Sequence, residues 1–118
     1  MRSGNDADYQ YLCPQPGTGS IIVIIATDAP LLPWQLSKLA KRVPIGIGLL
    51  GAYGDNGSGD IFLAFSTANE DAYGIGISKI DFLSDEIIDP LYVATVEAVQ
   101  EAVLNALCAA ETYGRARP

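Results

Sequence analysis

Six consecutive apolar residues, Ile21 to Ala26, constrain this chain more than anything else in it. They lie in the stretch PGTGSIIVIIATDAP, between a glycine-rich turn and the polar turn Thr27-Asp28-Ala29. Five of the six are isoleucine or valine, β-branched residues that favour extended backbone. An unbroken apolar run predicts a strand covered on both faces, since a half-exposed strand alternates apolar with polar. The fold must therefore supply packing layers on each side.

The rest of the chain offers candidates for those layers. Pro33 suits the first turn of a helix, where its missing N–H is no loss. Leu32, Leu36, Leu39, Ala40 and Val43 recur at helical spacing, with Gln35, Lys38, Lys41 and Arg42 assigned to the outer face. Pro44 predicts a stop or kink followed by a second helical piece reaching Leu50. The segment 51–60, GAYGDNGSGD, reads as a loop, and Ile61 to Ser66 as a second buried strand. A weaker alternating run, Ile75 to Ile80, reads as a short edge strand or a loop. Asp89 as N-cap with Pro90 behind it opens a long helix to about Glu111, with Gly114 marking its end. Its apolar stripe is Val96, Val99, Val103, Ala106 or Leu107, and Ala110.

Composition closes off several functions. The chain has 118 residues, 49% of them hydrophobic, which predicts one globular domain or part of one. Its formal net charge of −7 leaves no basic face for phosphates, so nucleic acid is not an expected partner. No uninterrupted apolar run reaches the ~18 residues of a membrane span, and the polar, acidic N-terminus has no signal-peptide core, so a cytoplasmic protein is expected. Cys13 and Cys108 form neither a disulfide framework nor a zinc motif, and no cofactor or metal is expected. There is no histidine at all. A serine nucleophile would therefore need a lysine, a carboxylate or an amine as its base.

Two glycine-rich loops could carry chemistry, Gly17-Thr18-Gly19-Ser20 and Asp55-Asn56-Gly57-Ser58-Gly59-Asp60. Both lead into strands, whereas a phosphate cradle leads into a helix and here lacks the Gly-Lys-Ser/Thr ending. As a calcium loop the second fails too. Placing Gly59 as the turn glycine puts Gly54 at the first carboxylate position and Phe65 at the bidentate one. The bland alternative is that both are ordinary turns.

The strings GSIIVIIATDAPLLPWQL, GSGDIFLAFSTAN and DPLYVATVEAVQEAVLNAL give the loops a further meaning. Over roughly Gly19 to Glu111 the chain resembles the C-terminal, small-subunit portion of the L-aminopeptidase D-amidase/esterase and β-peptidyl aminopeptidase family. The resemblance implies an α/β fold, part of an αββα sandwich of the N-terminal-nucleophile hydrolase type, with antiparallel strands between helices. It implies self-cleavage between Gly19 and Ser20, making residues 1–19 a removable leader and 20–118 the small-subunit portion. Ser20 would then be both new N-terminus and nucleophile, with Ser58 and Asp60 orienting it. Asp60 stands where many relatives carry glutamate, keeping the charge on a shorter arm, and Asp28 is given a structural role at the strand end. Expected substrates are short peptides or aminoacyl amides and esters, and expected partners are a large subunit and further copies in a homo-oligomer. The large subunit, with the family's oxyanion asparagine and aromatic pocket, is not encoded here, and relatives continue beyond YGRARP. Two alternatives stand beside the enzyme: an incomplete fragment that needs a large subunit, and a non-enzymatic interaction module. On either, the apolar strands would be left with an open face prone to association.

Overall fold

The computed structural model describes residues 19–112 and 114. The expected irregular leader, with Cys13, therefore lies outside the described residues except for Gly19.

Strand β1 (Ile22–Thr27) leads through helix α1 (Pro33–Ala40) and helix α2 (Val43–Leu49) to strand β2 (Ile61–Ser66). Short 3-10 turns follow at Glu70–Tyr73 and Asp85–Ile87, and helix α3 (Asp89–Ala109) comes last. The two strands pair in parallel, Ile22 opposite Ile61 through Thr27 opposite Ser66. This corrects the expected antiparallel arrangement. A helical crossover between two paired strands returns the chain in the same direction, and the two helices between Thr27 and Ile61 are such a crossover. Outside the strands, the ladder continues with Ile61 N–H to Ile21 C=O at 3.0 Å and Thr67 N–H to Thr27 C=O at 2.9 Å.

Both strands alternate strictly between half-buried and exposed residues. Val23, Ile25, Phe62 and Ala64 face the helices, while Ile22, Ile24, Ile61, Leu63 and Phe65 face outward. The expectation of cover on both faces is met on one only, and Ile22 remains 71% exposed. An apolar face this continuous is unusual on a soluble surface, where large patches mark contact sites.

The core lies between the covered face and the helices. Leu31, Leu39 and Ile88 are its centre, with Ile25, Leu36 and Leu91 packed against them. Gln35 departs from its assigned outer position and is completely buried. It stands in step with Leu31 and Leu39, four residues either side, so the helix turns it inward. The burial is tolerated because every polar function is matched. Its Oε1 accepts the Leu32 N–H at 2.9 Å, and its Nε2 donates to Leu83 C=O at 2.8 Å and to Asp85 Oδ1 at 3.0 Å. One side chain thus closes the start of α1 and straps the 83–85 segment to it.

Pro33 opens α1, and Pro44 lies in the first turn of α2, so the proline divides one helical stretch into two around Lys41 and Arg42. Helix α2 then crosses α3 at Gly46. A Cβ there would lie 2.9 Å from Val96 O and 3.0 Å from Val99 Cβ, so the crossing distance requires glycine. Helix α3 begins at Asp89 itself, with Ile88 as N-cap, and ends at Ala109, two residues short of expectation. Val99 and Thr95 are buried, whereas Leu104 and Leu107 are exposed. By length and composition α3 would suffice to cross a membrane, with a mean hydropathy of 1.2. Here that apolar character packs in part on α2 and the core. The run from Ile75 to Ile80 forms no strand and is exposed throughout.

Candidate active site

The described end of the first glycine-rich loop, Gly19-Ser20, meets the second loop at the N-terminal ends of the paired strands. Because β1 and β2 are parallel and in register, the residues just before each strand are brought side by side. Gly19 and Ser20 precede β1, and Ser58, Gly59 and Asp60 precede β2.

Two hydrogen bonds join them. The Gly59 N–H donates to Ser20 Oγ at 2.9 Å, and the Ile21 N–H donates to Asp60 Oδ1 at 3.0 Å. The first holds the serine hydroxyl. The second fixes the peptide plane that follows Ser20, so the serine backbone is held from one side and its side chain from the other. Ser58 belongs to a turn in which its N–H donates to Asp55 C=O at 3.0 Å. It lines the same cavity as Ser20 and Asp60.

That cavity has a volume of about 270 Å³, with Ile47, Ala52 and Tyr53 forming an apolar wall opposite the polar groups. A neighbouring hollow of about 350 Å³ shares Ile47, Tyr53 and Asp60 with it. A further hollow of about 380 Å³ runs along β1 and α3, from Val23 to Thr27 and from Leu91 to Ala102. It is lined by no titratable side chain and does not include Ser20. Among the described residues, no cluster of three or more His, Cys, Asp or Glu could hold a metal ion.

The residues expected from sequence fall as follows. Gly19, Ser20, Ser58 and Asp60 come together at this cavity. Asp28 lies past the opposite end of β1, where Thr27 Oγ1 accepts the Ala29 N–H at 3.1 Å and Ser66 Oγ donates to Ala29 C=O at 2.6 Å. Sequence reasoning missed Gly59, since the group it contributes is a backbone amide. It missed Tyr53 and Ile47 as well, because a cavity wall made from the end of a helix and a loop leaves no periodic signature.

The profile of Peptidase family S58 matches residues 2–117. The β-peptidyl aminopeptidase BapA of Sphingosinicella microcystinivorans is 48% identical over 99 residues, covering 82% of this chain and 25% of its own length. The enzyme of the same name from Sphingosinicella xenopeptidilytica is 38% identical over 96 residues, covering 79% of this chain and 24% of its own. Among solved structures, the L-aminopeptidase D-Ala-esterase/amidase of Ochrobactrum anthropi, described as a new variant among the Ntn hydrolase fold, superimposes with a TM-score of 0.73. It is 45% identical and covers 94% of this chain and 29% of its own. The PH0078 protein of Pyrococcus horikoshii OT3 gives a TM-score of 0.71 at 52% identity, covering 75% of this chain and 26% of its own. The chain thus spans about a quarter of the length of the curated relatives it matches.

Proposed function

Because this chain belongs to peptidase family S58, we propose that it carries the nucleophile-bearing portion of a serine aminopeptidase that acts after cutting itself before Ser20. The observation that carries the proposal is the position of Ser20. Its hydroxyl is held by the Gly59 amide at the mouth of a cavity, on the residue that feeds directly into β1.

The chemistry follows from the residue types. In the uncut chain Ser20 Oγ attacks the carbonyl carbon of Gly19, and the peptide bond becomes an ester. Gly19 carries no side chain to hinder that approach. Water then hydrolyses the ester, releasing the upstream segment as a carboxylate and leaving Ser20 with a free α-amine. An α-amine has an ordinary pKa of ~8, so an appreciable fraction is neutral near pH 7 and can accept the hydroxyl proton when Oγ attacks a substrate. Base and nucleophile share one residue, as suits a chain without histidine. Asp60, tied to the Ile21 N–H, keeps the serine backbone in place, and Ser58 joins it in orienting the new amine. The substrates proposed are short peptides, amides or esters with a free amino end.

The remaining parts of the site are proposed to come from a large subunit, which would complete an αββα sandwich. The bare outer face of the sheet supports this, because Ile22, Ile24, Ile61 and Leu63 are each more than half exposed. Intact-mass analysis tests the first step. Loss of residues 1–19 in the native sequence, but not in Ser20→Ala, is expected when the chain is co-produced with the missing portion of a relative. Hydrolysis of an aminoacyl p-nitroanilide should appear with it. A chain that assembles yet is never cut would sink the proposal.

A further inference from the structure

The serine hydroxyl is held by a residue that has no side chain. Gly59 donates its N–H to Ser20 Oγ at 2.9 Å. Its φ is not in the left-handed region, so its backbone does not demand glycine. Space does. A Cβ on Gly59 would lie 3.2 Å from Ser20 Oγ and 3.9 Å from Ser20 Cβ, and among the described residues it would meet nothing else within 4 Å. The one thing a side chain at 59 would disturb is the serine.

Resting on the reading of Ser20 as nucleophile, we propose that Gly59 is a positioning residue for the reaction, acting through its backbone amide on Ser20 Oγ. A hydroxyl has one proton and two lone pairs. With one lone pair engaged by the amide, the other is left for the carbonyl carbon and the proton is left for the α-amine. The amide also opposes charge at two moments. Negative charge grows on Oγ as its proton passes to the amine and the new C–O bond forms. It grows again when water has added to the ester and the C–Oγ bond breaks, before Oγ takes a proton back. A fixed donor aimed at the atom where charge develops lowers both barriers without reorganisation. Glycine suits the position because a Cβ would crowd the hydroxyl and shift it on this donor by a few tenths of an ångström.

The test uses the whole enzyme, this chain assembled with the rest of the protein. In Gly59→Ala the added methyl displaces Ser20 Oγ by a few tenths of an ångström. Against the ~100-fold cost of a 1 Å misplacement, kcat should fall roughly tenfold with KM held within about twofold. The unfolding temperature should stay at the native value, and modification of Ser20 by a sulfonyl fluoride should slow in parallel with kcat. A second variant, a semisynthetic backbone ester at position 59, replaces the N–H by oxygen without adding an atom and should lose at least as much. Native kcat in both variants would overturn the inference, as would a loss that tracks a lowered unfolding temperature. Ser20→Ala separates the two claims. Turnover surviving in that variant overturns the reading of Ser20 itself, and this inference with it. An inactive Ser20→Ala beside fully active position-59 variants would remove only the role of Gly59.

Discussion

The two faces of the β-sheet have nearly the same composition and opposite surroundings. On one face Ile25 and Ala64 pack on Leu39 and its neighbours. On the other, Ile24 and Leu63 are 60% and 56% exposed. The hydrophobic effect treats these side chains alike, so the difference lies in what has been brought to them. One side is closed by the chain's own crossover and α3; the other carries no such layer among the described residues. Stability of the chain should therefore depend on one face, and its association on the other.

Three variants sharpen or break that contrast. The largest effect is expected from Leu39→Ala, which empties the centre of the covered face, where Leu39 is 1% exposed. A buried leucine truncated to alanine costs about 2–5 kcal/mol, and urea unfolding should show it. An unchanged midpoint would mean that this core does not hold the chain together. Next comes Gly46→Ala at the crossing of α2 and α3. The methyl meets the Val96 carbonyl and Val99, and separating two packed helices to admit it should cost about 1–3 kcal/mol. Were the variant more stable, as helix propensity alone would make it, the close approach would be refuted. The smallest effect on stability belongs to the bare face. Ile24→Thr with Leu63→Thr should shift the unfolding free energy by no more than about 0.5 kcal/mol, as surface changes do. The same pair should reduce self-association measured by sedimentation. If it unfolds the chain instead, the two faces are not energetically distinct.

How far the sequence discloses this arrangement depends on the kind of interaction. Prolines 33 and 44 announce the two helices, because a missing N–H and a fixed φ act locally. The strands are legible for the same reason, as short apolar runs between turns. Pairing direction was open to the same local logic, since a helical crossover implies parallel strands, yet resemblance to a larger sandwich pointed to antiparallel neighbours. Gln35 illustrates a different obstacle. Its spacing from Leu31 and Leu39 points inward while its chemistry points outward, and only Leu83 C=O and Asp85, some fifty residues away, reconcile the two. Gly46 could not be read as a contact at all, because nothing local records how near α3 passes. At the site, Ser20, Ser58 and Asp60 stood out through family likeness. The Gly59 amide could not, since every residue but proline has one.

The bond between the Ile61 N–H and the Ile21 C=O ties the site to the first rung of the β-ladder. Ser20 is one residue before that rung and Gly59 two residues before it on the other strand, so neither can reach its place until the strands have zipped together in register. A slip of one residue would turn every side chain of the strand to the opposite face. Self-cleavage, if it runs through this geometry, is then a clock that starts only when the crossover has folded. The time at which a new N-terminus appears during refolding would date the closure of the sheet itself.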